Sequence, residues 1–235
     1  MKVRLYIKQF LEVGAEITLE SEDCHYIKTV LKLKANDTVF AFNSQEGEFL
    51  TKVCLKKSDI YLKVVEFVKA VEGQPKQVHL FFANIKNNLV GDILNSCTQV
   101  GVTNFTPIIT KHTVNHHFSV VRGQKIIKEA CEQSGRILLP ELSDIINFKK
   151  ALESVANFPI ILFCDENSAG KLSQIKTEGH SKIAIFVGPE GGFSEEERNQ
   201  LAELKGAITI SLGSFILKAE TACVCASFLA VSKLA

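Results

Sequence analysis

Between Ile183 and Ala222 a short apolar run, a glycine turn and a helical stretch occur twice in succession, which favours a layered α/β fold. The first copy opens with Ile183-Ala184-Ile185-Phe186-Val187, the length of a buried strand. Gly188-Pro189-Glu190-Gly191-Gly192 follows, and its three glycines let backbone N–H groups approach a ligand with no Cβ in the way. Ser194 stands three residues before Glu197, the spacing of a capping box, so a helix is predicted from there to about Gly206. The second copy runs from Ala207-Ile208-Thr209-Ile210-Ser211-Leu212 through Gly213 into Phe215-Ile216-Leu217-Lys218-Ala219-Glu220-Thr221-Ala222.

Ligands of open α/β sheets bind at the carboxyl ends of strands, so two such turns side by side suit the two walls of one pocket. They are equally compatible with a pair of ordinary strand–helix connections. Two nucleotide fingerprints are absent: the glycines do not fit G-x-G-x-x-G, and no Gly-Lys-Ser/Thr follows.

Gly188 to Ser194, with Leu212-Gly213, Ile216-Leu217 and Glu220-Thr221-Ala222, resembles the C-terminal signature of the RsmE methyltransferases, members of the SPOUT class. The resemblance implies transfer of a methyl group from S-adenosylmethionine to N3 of a uridine in 16S ribosomal RNA. It implies a C-terminal α/β domain with a mainly parallel sheet and a trefoil knot, preceded by a small PUA-like β-barrel, and a homodimer with the cofactor near its interface. It places the cofactor on Val187, Gly188, Pro189, Gly191 and Gly192 from one turn and on Leu212, Gly213, Ile216 and Leu217 from the other. Removal of the uridine imino proton needs an acceptor. Glu190 and Glu220 are the acidic candidates.

At 235 residues, 46% of them hydrophobic, two domains are expected, divided as 1–72 and 73–235. The hinge is predicted at Glu72-Gly73-Gln74-Pro75-Lys76-Gln77, where the apolar pattern lapses. Before it, strands are predicted from Val3 to Ile7, Ile17 to Leu19, Thr38 to Phe42, Phe49 to Leu55 and Ile60 to Val68. Five short strands suggest a barrel closed or nearly closed on itself. One helix interrupts them, with Ser21 as its cap and Ile27, Val30 and Leu31 as its apolar stripe. Tyr26 to Lys34 is similar to the same family, with lysines where arginines are usual. Lys28, Lys32 and Lys34 are therefore RNA-binding candidates, and also plain solvated lysines on a surface helix.

After the hinge the pattern becomes alternating strand and helix: Val78 to Ala83, Leu89 to Val100 closed by Gly101, Phe105 to Ile109, Arg122 to Arg136, a helix ending over Leu152 to Asn157, and Ile160 to Cys164. Together with the two later strands these predict a mainly parallel sheet with helices on both faces. Thr98-Gln99-Val100-Gly101-Val102 with Pro107, and Glu129 to Arg136 with Pro140, extend the family resemblance. Through it Arg136 is expected to face the RNA backbone or target base; by spacing alone it is one end of an i,i+4 pair with Glu132. The chain departs from the family at His112 and Phe215, where arginine is usual, and at Lys218, Gln99 and Ser96. His112 and Lys218 are carried over as RNA-binding candidates. The last helix, Ala219 to Lys233, is apolar nearly all round, which predicts burial on every side and hence a second subunit.

Residues 73–140 carry seven Lys+Arg against three Asp+Glu, whereas the flanking parts are neutral or acidic, so a basic surface is expected only in the middle. A chance fluctuation of four charges gives the same count. Seven cysteines at irregular spacings within apolar runs predict free core thiols in a reducing, cytoplasmic setting. Cys223-x-Cys225 on a helix and His112 to His117 match no standard metal site, and no metal is expected. No membrane span and no signal sequence are predicted. Two other functions share these residues: a SPOUT methyltransferase acting on a different RNA, and a non-catalytic RNA-binding protein with the same fold.

Overall fold

The computed structural model describes residues 2–56, 59–71, 76–165, 168 and 175–234. Their contacts divide the chain into two compact units, residues 1–73 with 131–139 and residues 74–130 with 140–235. Most of the predicted hinge, residues 72–75, lies outside the described residues.

The first unit contains β1 (Arg4–Tyr6), β2 (Glu16–Thr18), α1 (Ser21–His25), β3 (Thr38–Asn43), β4 (Gly47–Lys56) and β5 (Asp59–Lys69). All five expected strands are present. They form one sheet in the order β1-β3-β4-β5-β2, with β1 parallel to β3 and the remaining pairs antiparallel. No ladder joins β1 to β2 among the described residues, and the sheet is a curled half-barrel. Each edge strand has only three residues, which limits the exposed hydrogen-bonding edge without closure. Leu5, Ile17, Ile27, Val39, Val53 and Leu62 fill the concave side.

The helix of this unit departs from expectation at both ends. Glu20 occupies the cap position without a side-chain bond, and Ser21 is the first helical residue. After His25 the chain widens into a π-helical turn over Tyr26–Val30. The wider turn rotates the stripe: Ile27 is buried, but Val30 is 60% exposed. Residues 131–139 join the unit through Arg4. Its guanidinium pairs with Glu48, donates to the carbonyls of Cys131 and Arg136, and lies 4.1 Å from the Phe42 ring centroid. The Tyr6 N–H donates to Glu132 Oε1 at 3.0 Å.

The second unit contains β6 (Gln77–Ala83), α2 (Asn87–Val100), β7 (Asn104–Ile109), most of α3 (Val120–Ser134), β8 (Glu141–Leu142), β9 (Ile146–Asn147), α4 (Phe148–Ser154), β10 (Ile161–Cys164), β11 (Lys182–Val187), α5 (Glu195–Ala202), β12 (Ala207–Ile210) and α6 (Ala219–Leu234). Every recorded strand pair is parallel, in the order β12-β10-β11-β6-β7-β8, with β9 also on β7. β10 and β11 are near-continuous buried runs, as a sheet covered on both faces requires. Gly101, at φ 113°, ends α2 in the left-handed conformation. Phe81, Phe163, Phe186 and Phe193 form part of the core, with Phe81 and Phe186 stacked at 4.7 Å.

Two features of this unit position the site. Because β10, β11 and β12 are neighbours and parallel, their carboxyl ends share one edge. From β12, at the margin of the sheet, the chain returns so that α6 packs against α2, β6 and β11. Residues 211–218 therefore run past the ends of the neighbouring strands.

Candidate functional site

At that edge the segments leaving the three strands line a cleft that opens to solvent. Cys164 and Asp165 enter it from the end of β10, Gly188, Pro189, Glu190 and Gly192 from the end of β11, and Ser211, Leu212, Phe215, Ile216 and Leu217 from the end of β12. Phe163, Phe193 and Ile210 contribute from the core beneath. The two glycine turns singled out in the sequence are thus adjacent walls of one cavity.

The first turn is held by local bonds. The Gly192 N–H donates to the Pro189 carbonyl at 2.9 Å, and Gly192 adopts φ 67°, which favours glycine. The capping box is complete: Glu197 N–H donates to Ser194 Oγ at 3.3 Å and Ser194 N–H to Glu197 Oε2 at 2.9 Å. A Cβ on Gly188 would stand 3.1 Å from the Phe193 ring. Glycine there lets Phe193 fold back onto Phe148 and Phe163, with ring centroids at 5.9 and 5.4 Å, and so anchors the turn to the core. α5 stops at Ala202, short of the predicted Gly206, and Gly206 instead lies where a Cβ would meet the Pro159 carbonyl oxygen at 2.5 Å.

Of the residues expected to hold a cofactor, Val187, Gly188, Pro189, Gly192, Leu212, Ile216 and Leu217 line the cleft. Gly191 and Gly213 belong to the turns but not to the lining. A Cβ at Gly191 would meet His112 at 3.3 Å, whereas one at Gly213 would meet nothing within 4 Å. Glu190 lines the cleft and is exposed; Glu220, in the first turn of α6, is half-buried and outside the lining. Lys218 is exposed, and exposed His112 lies against the first turn.

The remaining candidates lie in the first unit. Lys28, Lys32 and Lys34 are exposed, with Lys32 at φ 51° after the π-helical turn. Arg136 is half-buried; its Nε–H donates to the Leu138 carbonyl at 2.7 Å, and burial lowers its guanidinium pKa below the usual value. The guanidinium is thus partly engaged within its own unit.

Four lining residues belong to no motif in the sequence: Phe163, Cys164, Asp165 and Arg198. The strand ending at Cys164 was legible, and its carboxyl end was the available signal for Cys164 and Asp165. Arg198 enters from α5, one turn beyond the capping box. Burial pushes the Cys164 thiol up to about 12, which keeps it protonated and unreactive. Among the described residues no three His, Cys, Asp or Glu side chains come together as a metal site, and no helix is long and apolar enough to cross a membrane.

Comparison with known proteins adds the decisive observation. A family model for the RNA methyltransferase domain matches residues 72–231. The ribosomal RNA small subunit methyltransferase E of Rickettsia conorii is 35% identical over 228 residues, covering 95% of this chain and 92% of that protein. The chain belongs to the RsmE family of RNA methyltransferases. Another member of the RsmE family, from Synechocystis, is 30% identical over 231 residues, covering 94% of this chain and 75% of its own. The crystal structure of the RsmE protein of Neisseria gonorrhoeae bound to S-adenosyl methionine aligns with a TM-score of 0.87 at 27% identity, over 97% of this chain and 95% of that one.

Proposed function

We propose that this chain uses S-adenosylmethionine to methylate N3 of a uridine in 16S ribosomal RNA, with the cleft at the ends of β10, β11 and β12 as the methyl-donor site. The observation that carries the reading is the pairing of two glycine turns around one cleft in a chain of the RsmE family. The lining suits this donor. Val187, Leu212, Ile216 and Leu217 offer apolar surface to a purine, Gly188 and Gly192 leave main chain uncovered, and Asp165 and Glu190 supply negative charge to match its ammonium and sulfonium centres. When bound, the donor supplies an electrophilic methyl group on sulfur. The protein's part is to orient the two reactants and to receive the proton of uridine N3. Glu190 is the assigned acceptor, because its carboxylate is exposed and lines the cleft, whereas Glu220 does neither.

On this reading residues 1–72 form a PUA-like RNA-binding domain, with Lys28, Lys32 and Lys34 facing phosphates. Residues 73–235 form a SPOUT domain whose segment 211–218 is threaded past the glycine turn as a trefoil knot. Support for the threading is the return of α6 from the sheet margin to β6 and β11. The protein works in the cytoplasm as a homodimer, with Lys218 contacting RNA. Two measurements test the function. Titration calorimetry of the full chain with S-adenosylmethionine should give saturable binding, and folded protein without binding heat would leave an RNA-binding role only. Deletion of the gene should remove one N3-methyluridine from 16S ribosomal RNA by mass mapping, restored by the wild-type chain; loss of a mark from another RNA would reassign the substrate.

A further inference from the structure

The loop between β7 and α3 meets the start of α5 and the first glycine turn. The Lys111 N–H donates to Glu197 Oε1 at 2.8 Å, and the other oxygen of that buried carboxylate closes the capping box. One residue on, His112 Nδ1 lies 3.0 Å from the Gly191 carbonyl oxygen and 3.1 Å from that of Gly192. Carbonyl oxygens only accept, so Nδ1 must carry the proton. At neutral charge Nε2 is then a bare acceptor, unable to donate to the phosphate expected as its partner.

The ring is held in place from behind and given room in front. Thr110 N–H donates to Thr113 Oγ1 at 2.9 Å, and the two buried hydroxyls are 2.9 Å apart, closing a tight turn around Lys111 and His112. Gly191 provides the room, since a Cβ there would press on the His112 Cβ at 3.3 Å. Two successive carbonyls aimed at one point repel each other, and a shared N–H relieves that repulsion. Without the ring the turn is free to relax.

We propose that His112 is a positioning residue of the methyl-donor site: fixed as the Nδ1–H tautomer, it holds the Gly191–Gly192 turn in the shape that walls the cleft. Donor affinity then depends on a side chain outside the lining, on a loop that belongs to neither glycine turn. The inference rests on the donor assignment made above.

The test has two arms on the full chain. In long-range ¹H–¹⁵N spectra of the free protein at pH 8, His112 should show the Nδ1–H tautomer; an Nε2–H ring would overturn the latch. In calorimetry with S-adenosylmethionine, His112→Ala should bind about tenfold more weakly, the size of one lost hydrogen bond. His112→Asn, whose amide nitrogen falls where Nδ1 lay, should restore affinity to within about threefold. His112→Gln, whose amide falls where Nε2 lay, should not. Wild-type affinity in His112→Ala, or equal rescue by Gln and Asn, refutes the proposal. If the wild-type chain itself takes up no donor, the cleft assignment fails instead, and the ring spectrum still decides the latch.

Discussion

Gly188, Gly191 and Gly192 stand within one turn and are glycine for three different reasons. Gly188 spares the Phe193 ring, Gly191 spares His112, and Gly192 holds a positive φ while lining the cleft. In the sequence all three read alike, as bare backbone for a ligand, because the neighbour that a missing Cβ accommodates is set by the fold. Gly191→Val should therefore act through His112 and not by filling the cleft. The variant should keep its fold, since Gly191 is exposed and lies outside the left-handed region, and should lose at least about tenfold in S-adenosylmethionine affinity as the ring is displaced. Calorimetry checks this, and unchanged affinity in a folded Gly191→Val protein would show that the turn does not need the ring. Arg136 makes the same point: the sequence placed it at the end of a helix, whereas α3 stops at Ser134 and Arg136 lies two residues beyond it, half-buried beside the Leu138 carbonyl.

The strand β6 carries a titratable group that the chemistry does not use. His79 stacks on Phe81 at 4.1 Å, and its Nε2 lies 2.8 Å from Thr106 Oγ1 on β7. Burial lowers its pKa from 6.5 to about 4. The unfolded chain then binds more protons than the folded one between these values, so stability rises with pH across that window. The neutral ring's contribution is fully present above pH 6.5 and is lost as pH falls towards 4. At about 1.4 kcal/mol per pH unit the loss comes to about 3 kcal/mol. Urea denaturation at a series of pH values should show it, and His79→Phe should flatten the profile by about that amount; an unchanged profile would mean that other groups govern acid stability. Element boundaries show the same mixture of local and distant control. The capping box of α5 was readable from Ser194 and Glu197, but its early end at Ala202 and the π-helical turn after α1 depend on packing that no spacing records.

For the whole molecule the informative element is α6. Its composition predicted burial all round, yet in the single chain Thr221, Cys225, Phe228 and Ser232 line an exposed face, with Phe228 62% exposed. The other faces meet α2, β6 and β11. A second copy of the chain is the proposed cover for that face, in keeping with the homodimer of the functional reading. Phe228→Asp places a charge in the contact and should shift the protein from dimer to monomer by sedimentation velocity, with native circular dichroism retained. A dimer that persists in the variant would place the subunit contact elsewhere.

What the residues determine by themselves is local. Strand periodicity, the glycine turns, the capping box and the change from alternating strands to alternating strand and helix all depend on neighbours within a few positions, and all were legible. The placements of Asp165 and Arg198 in the cleft, of His112 on the Gly191–Gly192 turn, and of residues 131–139 beside Arg4 were decided only by the tertiary structure. These contacts join stretches from a few tens to more than a hundred positions apart, and sheet order and core packing, not spacing along the chain, select which distant residues meet.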